Sequence, residues 1–300
     1  MATLDLMLPY YGPLHLLQAT VRSVLAQQDP EWVLTVVDDA YPDPAVAQWF
    51  AGLQDERVRY LRNDVNLGAN RNFQRCLDLV ERDLTVILGG DDLLLPFYVN
   101  TVRRAHAAHP DAAMIQPGVQ VVDRYGRPAR TLVDEVKRRV YSPRRRKTVA
   151  MAGEELAVSL LRGNWLYFPS LCWRSVVVRE NQFRPGLDTT QDLALVVDLV
   201  LTGASLVVVP DTCFQYRRHA ASESSWRAAA GTRFLEERMF FLDAARLMEA
   251  RGWHRAAKTA RRHLSSRLNA LTVLPSAIRR RDIIAARTLT QHVTGLRRRQ

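Results

Sequence analysis

LTVILGGDDLLLP, Leu84 to Pro96, runs an apolar stretch straight into two adjacent carboxylates, Asp91 and Asp92, and then into a helix start. Leu84 to Leu88, bounded by glycines, suits a strand covered on both faces, and ligands of open parallel sheets bind just beyond the carboxyl ends of such strands. Two charges placed there are poorly solvated unless something cationic joins them. A divalent ion such as Mg²⁺ or Mn²⁺ meets that need with one or two carboxylates, water and phosphate oxygens. Gly89 and Gly90 let a ligand approach the backbone closely. The same residues leave a second reading open, in which Asp91 and Asp92 only cap the following helix.

Working outward, Leu4 to Leu8 reads as a strand, Leu14 to Gln27 as an amphipathic helix, and Trp32 to Val37 as a second strand ending in another carboxylate pair, Asp38-Asp39. A helix over Val46 to Leu53, a strand over Val58 to Leu61 and a helix over Gly68 to Val80 lead back to Leu84. This alternation predicts a parallel, doubly wound sheet. No GxGxxG follows the first strand and no GxxxxGK[ST] occurs, which disfavours dehydrogenase-type and P-loop sites.

Beyond Pro96 the pattern predicts a helix to His109, strands at Ala112–Gln116 and Val119–Val122, and an exposed, mobile basic loop over Arg138 to Lys147. A helix at Gly153–Arg162 and a strand-like segment at Leu171–Val178 follow. Next come a helix at Leu193–Leu201 capped by Thr189 or Thr190, a strand at Ser205–Val209, and FQYRRH from Phe214 to His219. From Trp226 onward the chain reads as basic helices broken at Gly252 and Pro275. Residues 1–225 are thus expected to form one domain, with 226–300 as a helical extension.

The 300 residues carry a formal charge of +11 and are 47% hydrophobic, as a globular chain with a sizeable core would be. No apolar run approaches the ~20 residues that span a bilayer, and no basic leader precedes Pro9, so a cytoplasmic protein is expected. Cys76, Cys172 and Cys213 lack paired ligand spacing and read as buried free thiols.

Six stretches in order carry a resemblance: LMLPYYGPLHLLQATVRSVLAQQ, VVDDA, NDVNLGANRNF, GGDDLLLP, TQDLAL and YRRHAAS. With them, residues 4 to 225 resemble family 2 glycosyltransferases of the GT-A fold. The resemblance implies a Rossmann-like, mostly parallel central sheet flanked by helices, with the C-terminal helices appended. It also implies an inverting, metal-dependent transferase moving a sugar from a nucleotide diphosphate (UDP, dTDP or GDP) to an acceptor hydroxyl. Asp38 and Asp39 then fall at the base, Asp91 at the ribose, and Asp92 at the diphosphate and its Mg²⁺ or Mn²⁺. Pro9, Tyr11, Asn66, Asn70, Arg71, Gly90 and Arg218 join the nucleotide-sugar site, and His219 joins Asp92 at the metal.

Asp192 matches the family's catalytic base. Two positions depart from the family pattern: Gly89 stands where it often has a first acidic residue, and Gln191 replaces the Glu before the base. The competing class is a binding or scaffold protein that kept the fold without turnover. Trp165 and Tyr167 read equally as a sugar-stacking wall or as core. Nucleic acid is not an expected partner of the enzyme; only the scaffold reading gives the basic tail nucleic acid or a membrane surface to hold. The basic tail, with apolar residues between its arginines, admits packing on its own domain, a homodimer or peripheral membrane contact.

Overall fold

The computed structural model describes residues 2–143, 147–218 and 232–294. Strands β1 (Leu4–Tyr10), β2 (Trp32–Asp38), β3 (Val58–Arg62) and β4 (Leu84–Ile87) alternate with helices α1 (Leu14–Leu25), α2 (Ala45–Ala51) and α3 (Ala69–Asp78). All ladders among these strands are parallel, in the order β3-β2-β1-β4. Every residue of β2 is buried, which explains why WVLTVVD is continuously apolar rather than alternating. The chain builds β2 and β3 on one side of β1 and then returns to lay β4 on the other. Strand order therefore reverses between β1 and β4, the place where a crevice opens at the carboxyl ends.

Past β4 come β5 (Leu93–Leu94), α4 (Tyr98–Ala108), β6 (Met114–Val122), β7 (Val149–Met151), β8 (Cys172–Arg174) and β9 (Leu206–Arg217). The sheet continues as β4-β8-β6-β9-β5, with β7 on β9. β8 is antiparallel to both its neighbours, while β6 and β9 run parallel. The two strands expected at 112–122 are a single strand. Its register shifts around Gly118, where an added Cβ would lie only 2.8 Å from Thr212 Cα, so the ladder bends instead of breaking. β9 likewise runs through Pro210 as one strand.

Leu171–Val178 is strand for only three residues and then turns into α7 (Ser175–Arg179), with the Ser175 N–H donating to the Asp83 carbonyl. Tertiary contact overrides the β-propensity of the three valines. The basic stretch expected to be a loop begins as helix. α5 (Leu132–Val136) passes into one π-helical turn, Lys137–Tyr141, which exposes Arg138, Arg139 and Val140; Arg144 to Arg146 lie outside the described residues.

Six further helices are α6 (Gly153–Arg162), α8 (Gln191–Leu201), α9 (Thr232–Ala250), α10 (His254–Arg262), α11 (Leu264–Arg279) and α12 (Ile283–Thr294). Phe240, Phe241 and Met248 of α9 and Ala256 and Ala260 of α10 share one core with Leu156 and Leu160 of α6 and Leu195 of α8. Trp165 belongs to that core and donates its indole N–H to Ser159. The first two tail helices are therefore packed on the sheet domain. α11 and α12 close a smaller core of Ala270, Ala277, Ala285 and Leu289 on Phe234 of α9. Gly252 separates α9 from α10 as expected, whereas Pro275 sits inside α11.

That smaller core encloses two histidines. His292 is 2% exposed; its Nε2 meets the Ser266 hydroxyl at 2.7 Å, and its ring packs on Phe234 and His263. Burial first, then the charges of His263, Arg238 and Arg267, push His292 down to about 4. The unfolded chain thus binds a proton below pH 6.5 that the folded chain refuses until about 4, so stability is full above 6.5 and falls as pH drops towards 4. The expected loss is on the order of 3 kcal/mol. Urea midpoints should fall between pH 6.5 and 4.5, and His292→Phe should remove most of that fall. An equal slope in both proteins would contradict the assignment.

Candidate active site

Asp92 is 2% exposed, just beyond β4, and is held from across the sheet. Its Oδ1 accepts the Arg217 backbone N–H at 2.9 Å, and its backbone carbonyl accepts the Thr20 hydroxyl of α1. The Arg217 side chain closes the same corner: its Nε donates to the Asp91 carbonyl and its Nη1 to the carbonyls of Asp123 and Arg124. A Cβ on Gly89 would stand 2.5 Å from Asp92 Oδ2, so the missing acidic side chain at 89 is space that the Asp92 carboxylate occupies. Burial, then the Asp91 charge, pushes Asp92 well above the usual carboxylate range. Asp91 and Asp92 are not simple helix caps: α4 starts at Tyr98, with no side-chain cap.

The second carboxylate pair is spent largely on structure. Asp38 accepts the backbone N–H of Tyr41, the Tyr60 hydroxyl and Arg62 Nη1. Asp39 accepts from Asn63 Nδ2 and from the backbone N–H groups of Leu67 and Gly68, folding the 63–68 loop over the end of β2. Gly68 takes a positive φ of 80° there, and its N–H also donates to Asn66 Oδ1. Asn70 Nδ2 donates to Leu187 O and Gln191 Oε1, tying α3 to the loop before α8. The Gln that replaces the family's Glu is thus one partner in a fastening. Pro9 is half-buried in β1, one residue before its end, and Gly90 backs onto the Tyr10 ring. Tyr11 is exposed with its ring edge-on to Tyr41, and Arg71 is exposed.

Asp192 lies in the first turn of α8, half-buried, with the Leu193 N–H on its Oδ1. Burial raises its pKa, with Lys137 and Arg233 pulling the other way. Thr190 stands at the helix start but makes no cap; its hydroxyl and its N–H donate to Glu236 of α9, which also accepts the Thr189 N–H. Glu236 therefore fixes the loop that delivers Asp192. Burial and then the Asp92 charge push the Tyr216 hydroxyl up against the pull of Arg218, with Asp91 and Asp192 adding to the rise.

Arg218, expected at the donor, is clamped in a two-point bond to Asp134, which also accepts the hydroxyls of Tyr167 and Thr131. Tyr167 is mostly buried, its ring 5.1 Å from Tyr216 and its hydroxyl committed to Asp134. His219 lies outside the described residues. Glu236, Asp134 and Lys137 were missed by sequence reasoning because none sits in a recognisable spacing. Asp134 offered a faint signal, as half of an acidic pair ahead of a basic run.

The donor set fits one hard divalent cation. A buried carboxylate forced upward by a neighbouring carboxylate is what a cation would relieve, and Mg²⁺ or Mn²⁺ takes one or two carboxylates with phosphate oxygens and water. Among the described residues no group of three or more His, Cys, Asp or Glu surrounds a metal position, so the rest of the shell would come from the ligand.

Comparison with known proteins shows the family and the fold. The profile described as Glycosyl transferase family 2 matches residues 5–171. The chain is 26% identical to the uncharacterized protein MT1568 of Mycobacterium tuberculosis over 243 residues, 78% of this chain and 73% of that one. The structure superposes on S. aureus TarS residues 1–349 in complex with UDP-GlcNAc with a TM-score of 0.64 at 13% identity, covering 99% and 93% of the two chains. It superposes on the mannosyltransferase PcManGT from Pyrobaculum calidifontis, in complex with GDP-Man and Mn²⁺, with a TM-score of 0.59 at 14% identity, covering 98% and 80%. With more than half its length matched by the family profile, on a fold those transferases share, the chain belongs to glycosyl transferase family 2 and is a glycosyltransferase.

Proposed function

We propose that the protein transfers a sugar from a nucleoside diphosphate to an acceptor hydroxyl with inversion, in a divalent-cation-dependent reaction. The observation that carries this reading is the buried Asp92 carboxylate, held just beyond β4 by the Arg217 N–H in a chain that the family profile matches. Asp39 and the 63–68 loop line the base end, Asp91 the ribose, and Asp92 the diphosphate end. The cation, when bound, offsets charge developing on the departing diphosphate. Asp192 accepts the proton of the acceptor hydroxyl as its oxygen attacks the anomeric carbon. The new carbon–oxygen bond forms as the bond to diphosphate breaks on the opposite face, which inverts the centre. The complexes of related folds with UDP-GlcNAc and with GDP-Man and Mn²⁺ support the donor class. UDP-, dTDP- and GDP-sugars screened by thermal unfolding should show at least one that raises the midpoint with Mn²⁺ and not with chelator. A flat response to all three would overturn the reading.

The tail adds a separate proposal. Ile283 and Ile284 are 79% and 81% exposed, with Leu264, Leu268, Leu271 and Ile278 also exposed, close in sequence to Arg279, Arg280 and Arg281. This exposed apolar surface beside arginines would rest on an anionic lipid face without crossing it, and no described helix is long and apolar enough to cross a membrane. Cosedimentation with anionic vesicles is expected at low salt and should weaken at high salt, at about 1 kcal/mol per Arg near the surface. Ile283→Glu with Ile284→Glu should abolish it. Absence of binding at low salt would instead leave this face to a homodimer.

A further inference from the structure

Lys137 opens the π-helical turn that ends α5 at the head of the basic stretch. Its ammonium stands 5.0 Å over the Tyr167 ring, and Tyr167 in turn packs on Tyr216, the β9 neighbour of the Arg217 whose N–H holds Asp92. Two aromatic rings thus join Lys137 to the strand that holds Asp92, and the charges of Lys137 and Asp192 act on each other. The carboxylates near it are committed: Asp134 to Arg218, Tyr167 and Thr131, and Asp192 Oδ1 to the Leu193 N–H. No hydrogen bond or ion pair joins the Lys137 ammonium to another group among the described residues. A half-buried cation with no carboxylate bonded to it is costly to keep, and Met or Leu would fill the same space more cheaply.

We propose that Lys137 is a specificity residue that binds an anionic group, a phosphate or a carboxylate, carried by the acceptor beside the hydroxyl that reacts. This rests on the glycosyl-transfer reading and adds the class of acceptor. The charged groups facing Lys137 are Arg218 on β9's exit, Asp134 on α5, Asp192 on α8 and Arg233 on α9. Arg218 and Arg233 are each paired, with Asp134 and Glu237, which leaves Lys137 as the cation with bonding capacity to spare. An anion seated on it would orient the neighbouring hydroxyl towards Asp192. Burial, then Arg218, brings Lys137 down to about 8, so it is charged at neutral pH and loses its proton as pH rises through that value.

The test uses the full-length enzyme with the nucleotide sugar that stabilises it. The acceptors are oligosaccharides of one backbone in three forms: neutral, bearing a uronic acid, and bearing a phosphate. Transfer should favour a charged form, with its KM rising above about pH 8. Lys137→Met should raise that KM roughly 10- to 100-fold with kcat little changed, the size of a lost hydrogen bond to a charged group. Lys137→Arg should keep the low KM and remove the rise above pH 8, because its charge does not titrate there. The uronic acid and phosphate arms identify which anion is read. Equal use of the neutral form, no transfer to either charged form, or an unchanged KM in Lys137→Met overturns the proposal. Failure to bind any nucleotide sugar would instead defeat the glycosyl-transfer reading beneath it, and the two failures are separate measurements.

Discussion

Asp192→Asn is expected to cut turnover by at least ~100-fold while leaving donor affinity nearly unchanged, since a general base acts on the acceptor hydroxyl and not on the nucleotide. The substitution is close to isosteric, and the Oδ1 of asparagine still accepts the Leu193 N–H, so the start of α8 is kept. The wild-type pH profile gives an independent reading. Burial raises Asp192, and a base works only when ionised, so kcat/KM should fall as pH drops through a value above the ordinary carboxylate range. Turnover at the wild-type rate in the Asn variant would remove Asp192 from the mechanism.

The second large effect belongs to Asp92. Asp92→Asn retains an oxygen for the Arg217 N–H but removes the charge, which separates cation binding from the structural bond across the sheet. Calorimetry of nucleoside diphosphate binding should show Mn²⁺ strengthening the wild-type complex by roughly tenfold or more, on the scale of one charged contact. The variant should bind equally weakly with and without the ion. Mn²⁺ dependence intact in the variant would move the cation elsewhere.

The sheet half built from β1 to β4 was legible because β1, β2 and β4 are buried on both faces and β1, β2 and β3 are each followed by a helix. The errors gather where local signal and tertiary contact disagree. Val176 to Val178 have strand propensity but form a helix that packs Val177 and Val178 on the core, and Pro117-Gly118 and Pro210 look like breaks but lie inside long strands. At the candidate site, sequence spacing located the carboxylates and could not reveal their partners. Asn70 and Asn66 lie in a motif that suggests ligand contact, yet their side chains hold loops. Glu236 is separated from the aspartate it positions by more than forty residues, so only the folded chain brings them together. That contact also shows why a division at residue 225 is incomplete as a functional boundary: the helix beyond it supports the loop before Asp192.

The central claim is a single displacement at the anomeric carbon by an acceptor hydroxyl that Asp192 deprotonates. Proton NMR of the reaction, run with the nucleotide sugar that stabilises the enzyme and an acceptor it uses, reads the anomeric coupling constant of the first product formed. The account predicts a product of opposite anomeric configuration to the donor, appearing in step with free nucleoside diphosphate and absent in Asp192→Asn. A product that retains the donor configuration would contradict it.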